Sequence, residues 1–230
     1  MEYIVEGIRH ALRLIVSLDS EIFSIVLLSL KVSTIATFLS SLVGVPVGFF
    51  IGASEFWGKK LLVTIFNTLM AFPTVVVGLL VYSFISRQGP LGPLGLLFTP
   101  RAMVIGQFIL ATPIIVALTI AATQAIDPRV KITAMTLGAG PLRTAVTILS
   151  EARFALTAGV VAGFGRVIAE VGCAMMVGGN IRGYTRTMTT AIALETAKGE
   201  FGFGLALGFI LLVVAFSVNI LLHWLQSKRD

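Results

Sequence analysis

Five long apolar runs limit what this chain can fold into more than any other feature of its sequence. Each run reaches or exceeds the roughly 20 residues that a helix needs to cross a bilayer. Charged residues make up only 12% of the 230 residues, and soluble domains carry about twice that share. The sequence therefore predicts an all-α integral membrane protein with about five transmembrane helices. The predicted spans cover about residues 22–51, 61–85, 103–125, 154–177 and 203–225.

Residues 1–18 mix charged and apolar side chains at helical spacing. Ile4, Ile8 and Leu12 share one face, and the charged side chains lie on the other. Because this stretch carries too much charge to cross a bilayer, the pattern predicts an amphipathic helix that lies in the membrane interface. Residues 19–230 then form one transmembrane domain, which leaves no room for a soluble catalytic domain.

Charge and cysteine content narrow the possible functions. The net charge of +6 is spread between loops, so that lipid headgroups or an anionic solute fit better as partners than nucleic acid does. A single cysteine, Cys173, excludes an internal disulfide and a multi-cysteine metal site. The spans contain no Ser–His pair, no paired carboxylates and no His-Glu-x-x-His motif, so we expect neither a catalytic site nor a metal site.

Prolines and charges inside the predicted spans indicate departures from plain helices. Pro73 should break the second span, and the backbone carbonyls that such a break frees are common in solute paths. Lys31, inside the first span, either snorkels to the interface or faces an aqueous path. Arg166 and Glu170 stand four residues apart in the fourth span, where pairing reduces the cost of burying both. We interpret them as a structural ion pair, with a gate or a dimer contact as the alternative.

A polar loop of about residues 127–153 separates the third and fourth spans. Gly138 and Pro141 mark a turn in it, because Gly tolerates positive φ and Pro at a helix start loses no hydrogen bond. A short helix over about 130–137 should therefore stop at Gly138, and a second should begin near Pro141. With this loop inside the cell, the inner side receives eight basic residues and the outer loops five, as the positive-inside rule favours. If the first 18 residues also lie outside, the excess of basic residues on the inner side falls to one.

This loop resembles the cytoplasmic coupling loop of ABC-importer permeases, whose signature is Glu-Ala-Ala, three residues, Gly, nine residues and Ile-x-Leu-Pro. Ala134, Gly138 and Ile148 match it, while its glutamate and its Leu-Pro pair are absent. Further motifs follow in the order found in oxyanion-importer permeases: Gly44-x-Pro46, the turn at 54–60, the run at 72–78 and Gly165-Arg166-x3-Glu170-x-Gly172. Over about residues 20–225 the chain is similar to the molybdate, tungstate and sulfate branch, and its run 175–190 is similar to the tungstate type.

The resemblance implies a type I ABC importer transmembrane fold and a homodimeric pore in the inner membrane of a prokaryote. It also implies two ATP-binding subunits beneath the pore and a periplasmic or lipid-anchored binding protein above it. ATP and magnesium would belong to the ATP-binding subunits, and this chain, expected to hold no cofactor, has no G-x-x-x-x-G-K-[ST] phosphate loop. The cargo would be a tetrahedral oxyanion, tungstate, with molybdate, sulfate or phosphate as alternatives. An ion-coupled secondary carrier for a small anion is the rival class of transporter.

The resemblance also assigns roles to residues. The contact with the ATP-binding subunit falls on Ile132, Ala134, Met135, Leu137, Gly138, Ala139, Pro141, Arg143 and Ile148. An oxyanion path needs hydrogen-bond donors without a trapping charge, and its candidates are Thr74, Thr112 and Cys173. Arg182 and Arg186 lie on the predicted outer face, where they would guide the anion or contact an acidic rim of the binding protein.

Overall fold

The structure, a computed structural model, describes residues 8–9, 13, 17 and 19–227. Within these residues the chain forms ten α-helices and one short 3-10 turn. The predicted amphipathic helix over residues 1–18 falls largely outside the described residues. The helices are α1 (Ser20–Ala53), α2 (Lys59–Met70), α3 (Thr74–Ile85), α4 (Pro100–Gln124), α5 (Pro128–Thr136), α6 (Pro141–Glu151), α7 (Arg153–Ile168), α8 (Gly172–Gly178), α9 (Met188–Lys198) and α10 (Phe201–Ser227).

Helix α1 begins where its sequence places a capping residue. The Asp19 carboxylate accepts hydrogen bonds from the backbone N–H groups of Glu21 and Ile22, at 2.8 and 3.1 Å. These N–H groups have no partner within the helix, and an Asp cap satisfies them. The 34 residues of α1 make it about 51 Å long, well beyond the hydrocarbon thickness of about 30 Å.

A stripe of glycines brings α1 against α4. Gly44, Gly48 and Gly52 are spaced four apart and face α4, so that the two helices approach without side chains between them. A Cβ atom on Gly48 would lie 2.6 Å from Thr119 Cβ and 2.7 Å from the Val116 carbonyl oxygen. This stripe therefore serves packing within the fold.

The predicted second span is two helices rather than one. α2 and α3 meet at an angle of 97°, and Pro73 stands at the start of α3 with extended backbone, at φ −62° and ψ 122°. Pro73 breaks the span as predicted, because proline has no N–H to continue the hydrogen-bond ladder. The size of the bend was not predicted. α2 packs with Val63 and Phe66 against a cluster formed by Ile51, Val116 and Ile120.

The predicted fourth span over 154–177 is wrong as a single helix. α7 ends at Ile168, and a separate short helix, α8, begins at Gly172. The Glu170 carboxylate accepts a hydrogen bond from the Cys173 N–H at 2.9 Å, which stabilises the new helix start. A Cβ atom on Gly172 would lie 2.7 Å from Val75 Cγ2, so the break also brings the chain close to α3.

By length and apolar composition, α1, α4 and the Phe201–Ile220 part of α10 are each able to cross a membrane among the described helices. The bent pairs α2–α3 and α6–α7, at 97° and 68°, each add one span when counted as a unit. The prediction of about five spans therefore holds when both pairs are counted. The glycine-rich stretch 87–99 contains one 3-10 turn, Gly92–Leu94, and α4 begins directly after it at Pro100.

Replacing Gly48 by Ala should destabilise the fold by about 1–3 kcal/mol, because its Cβ atom meets backbone as well as side chain of α4. Gly208→Ala in α10 is the matched control, since a Cβ atom there meets nothing within 4 Å. Cys173 is buried and is the only cysteine, so thermal unfolding in detergent can be followed by its reaction with a thiol-reactive fluorophore. Equal melting temperatures for the two variants would contradict the close contact.

Candidate functional site

The polar loop folds into a helical elbow, which we define as α5, the turn at 137–140 and α6. Asp127 caps α5 by accepting the Arg129 N–H at 2.8 Å, and Pro128 occupies the first helical position. Gly138, at φ +83°, ends α5 in the left-handed conformation that glycine favours. Its N–H donates to the Met135 carbonyl oxygen at 3.0 Å. The predicted stop at Gly138 and start at Pro141 are both observed.

Large apolar side chains of the elbow are exposed. Ile132 is 60% exposed, Met135 58% and Leu137 82%. Ala134 and Ile148, which match the signature, are buried instead. Of the other predicted contact residues, Gly138, Pro141 and Arg143 are exposed and Ala139 is half-buried.

Sequence reasoning missed part of this surface on α6. Leu142 and Val146, four residues apart, are 79% and 57% exposed. On the opposite face of the same helix, Thr144 and Ile148 are buried, and the Thr144 hydroxyl donates to the Gly140 carbonyl oxygen at 3.1 Å. The alternation of these four residues at helical spacing is the signal that would have found the exposed pair.

Arg166 and Glu170 form the predicted ion pair, but not as neighbours on one helix. Arg166 Nη1 lies 3.5 Å from Glu170 Oε2, and the Glu170 side chain is 2% exposed. Glu170 lies beyond the end of α7, where its other carboxylate oxygen accepts the Cys173 N–H. Its backbone carbonyl oxygen accepts the Thr189 hydroxyl at 2.6 Å. Glu170 therefore joins α7, α8 and α9.

The three candidate path residues occupy two different places. Thr74 lies beside the break before α8, since its Oγ1 is 3.1 Å from where a Cβ atom on Gly172 would stand. Cys173, which follows Gly172 in the sequence, is 1% exposed. Thr112 lies instead at the contact of α4 with α1, where its hydroxyl donates to the Phe108 carbonyl oxygen at 2.7 Å.

Arg182 and Arg186, which we predicted to lie on the outer face, are paired with carboxylates. Arg182 Nε donates to Glu21 at 2.7 Å, and this hydrogen bond raises the pKa of the Arg182 guanidinium. Arg186 lies between Glu21, at 3.6 Å, and Glu195, at 3.4 Å. Lys198 pairs with Glu195 at 3.1 Å. This network ties the start of α1 to the loop before α9.

Buried hydroxyls follow one side of α1, at Ser29, Ser33, Thr37 and Ser40. The Ser29 hydroxyl accepts the Met188 N–H at 2.8 Å and so positions the start of α9. The spacing of four, four and three residues was visible in the sequence, although we made no prediction from it. Among the described residues, no group of three or more His, Cys, Asp or Glu side chains is placed to hold a metal ion.

Comparison with known proteins identifies relatives over almost the full length of the chain. Residues 44–230 match the family described as binding-protein-dependent transport system inner membrane component. The tungstate uptake system permease protein TupB of Peptoclostridium acidaminophilum is 41% identical over 228 residues, 99% of this chain and 100% of that protein. TupB of Campylobacter jejuni is 43% identical over 226 residues, 98% of this chain and 95% of that protein.

A solved structure supports the fold. The crystal structure of an amino acid ABC transporter with histidines superimposes with a TM-score of 0.69 and 18% identity, covering 93% of this chain and 96% of that one. At that identity the likeness concerns the fold alone. The expected type I ABC importer transmembrane fold is confirmed.

Replacing Glu170 by Ala should lower the free energy of unfolding by about 1–3 kcal/mol, because the buried Cys173 N–H loses its acceptor. Glu170→Gln retains an acceptor and should cost less. Glu55→Gln is the control, since Glu55 also pairs with a cation four residues away but its side chain is 89% exposed, where such pairs contribute little. Thermal unfolding in detergent measures all three, and a Glu170→Ala variant as stable as Glu55→Gln would refute the role of Glu170.

Proposed function

We propose a function from one premise: this chain belongs to the family of binding-protein-dependent transport system inner membrane components. It is accordingly a multi-pass protein of a prokaryotic inner membrane and the permease subunit of an ABC importer. Its cargo is a tetrahedral oxyanion, and that oxyanion is tungstate. The observation that supports this cargo is the sequence identity of the chain, which is more than 40% to two tungstate uptake permeases over at least 98% of its length.

The elbow is the surface that an ATP-binding subunit grips. Exposed Ile132, Met135 and Leu137 lie beside a turn that Gly138 holds in place. Contiguous exposed apolar side chains at a polar loop are costly in water and are typical of contact sites. The missing glutamate of the signature fits this reading, because the docking contact is then mainly apolar.

Two copies of this chain form the pore, with one ATP-binding subunit under each elbow. ATP and magnesium bind in those subunits, and closure of the pair displaces the elbows. Each elbow lies between α4 and α7 in the chain, so its displacement moves both helices and shifts the pore between inward-open and outward-open states. An extracytoplasmic binding protein delivers the anion on the other side.

Beside the break at Pro73 the anion is bound by hydrogen bonds to hydroxyls rather than by a cluster of cations, since a strong fixed charge there would slow its release. Thr74 is the path residue best placed for this, because it begins α3 at the break opened by Pro73. There its hydroxyl and the free N–H groups of the helix start offer donors together. The other two candidates are Cys173, beside the same break, and Thr112, at the separate contact of α4 with α1.

Leu137→Asp should abolish copurification of the ATP-binding subunit while the chain still inserts in the membrane. A carboxylate in the centre of an apolar contact loses its hydration without gaining a partner. Gly138→Pro should do the same, because proline cannot adopt φ +83°. Ser24→Asp is the control, since Ser24 is exposed near the start of α1, at the end of the bundle opposite the elbow. Retained association of Leu137→Asp would argue against docking at the elbow.

The transport function is tested in vesicles that contain this chain with its ATP-binding subunit and the loaded binding protein. Tungstate uptake should require ATP on the side of the membrane that carries the ATP-binding subunits, and it should vanish when those subunits are left out. An ion-coupled carrier would still take up tungstate from the chain alone under a proton or sodium gradient. Excess molybdate and sulfate, added separately, determine whether uptake prefers tungstate.

A further inference from the structure

A cavity of about 740 Å³ opens between α1 and the start of α4. We name it the α1–α4 cavity. Two basic residues on different helices line it, Lys31 of α1 and Arg101 of α4, with Thr99 and Tyr184 among the mainly apolar remainder. It lies toward the end of the bundle where α1 and α4 begin.

The two cations of this cavity differ from the other basic residues nearby. Within the described residues, neither Lys31 nor Arg101 takes part in any ion pair, and no carboxylate lines the cavity. By contrast, the cavity beside Glu21 holds three basic residues that all pair with carboxylates: Arg182, Arg186 and Lys198. The fold thus neutralises one basic cluster and leaves the other without a counter-charge.

Both positions are unfavourable for a cation that has no partner. Lys31 stands in the twelfth position of an apolar helix, where an ammonium group loses hydration. Arg101 is the second residue of α4, and a cation there adds to the positive end of the helix dipole instead of opposing it. An anion between the two side chains would relieve both costs.

We propose that the α1–α4 cavity binds a tetrahedral oxyanion between Lys31 and Arg101. The Arg101 guanidinium presents paired N–H donors that match two oxygens of such an anion, and Lys31 adds a compact charge on its other side. The Tyr184 hydroxyl supplies a further donor. The anion has two possible sources, the transported tungstate and the phosphate of an anionic lipid headgroup. The choice of tungstate as probe rests on the proposed function, whereas the site itself rests on the cavity.

The test measures occupancy directly and needs no transport. The full chain with its ATP-binding subunit is placed in phosphatidylcholine vesicles and treated with a water-soluble acetylating reagent, and acetylation of Lys31 is followed by peptide mass spectrometry. Bound oxyanion blocks the amine, so tungstate at about ten times its dissociation constant should slow acetylation about tenfold. Lys198, whose side chain is 51% exposed at the same end of the bundle, is the internal control and should react at the same rate with and without tungstate.

Three variants assign the effect to the cavity. Arg101→Gln should remove the protection of Lys31, and Arg101→Lys, which keeps the charge, should retain part of it. Arg87→Gln changes net charge equally in the neighbouring cavity and should leave the protection intact. If Arg87→Gln removes protection as fully as Arg101→Gln does, the protection of Lys31 depends on the overall positive charge rather than on the cavity, and the proposal fails.

Lipid composition distinguishes the two sources of the anion. Protection by tungstate in phosphatidylcholine alone supports the transported ion, and protection by phosphatidylglycerol without tungstate supports a lipid headgroup. Either result supports the oxyanion site, and unchanged acetylation in both arms overturns it. Loss of uptake with intact protection would instead count against the transport function, so the two failures are separable.

Discussion

The close contact between helices through glycine is the constraint on which the rest of this structure depends. In a bilayer, apolar side chains gain nothing by leaving lipid for one another, so helices associate where their backbones approach closely. α4 is approached in this way from several sides: Gly48 of α1 faces Thr119, and Gly163 of α7 faces Ile115. Gly106 of α4 itself admits the sulfur of Cys173 from α8. α4 is therefore the central helix against which α1, α7 and α8 pack.

Glu170 performs a complementary task where the helices are interrupted. A break inside an apolar bundle leaves backbone donors without partners, and each would be costly if it stayed so. The carboxylate of Glu170 accepts one of them from Cys173, and its carbonyl oxygen accepts the Thr189 hydroxyl. Arg166 then limits the cost of the buried charge. Glu170 thus reduces the energetic cost of the break between α7 and α8 and connects this region to α9.

Local chemistry explains which features the sequence could predict. The cap at Asp19, the break at Pro73 and the turn at Gly138 each follow from a residue acting on its immediate neighbours, and all three are observed. The break after Ile168 lies inside the predicted fourth span and is stabilised in part by Thr189, which is 19 residues beyond its partner Glu170. The pairing of Arg182 with Glu21 joins residues 161 positions apart. Such distant contacts leave no periodic signal in the sequence. The sequence therefore did not reveal the ion pairs of Arg182 and Arg186, nor that Lys31 and Arg101 line one cavity.

The length of α1 makes the protein sensitive to the thickness of its membrane. About 20 Å of α1 exceeds the hydrocarbon layer, so the helix must tilt or extend past that layer. A bilayer of longer acyl chains would reduce the tilt, and a thinner bilayer would increase it. Because Glu21 at the start of α1 binds Arg182 and Arg186, a change in the tilt of α1 would also displace the loop before α9.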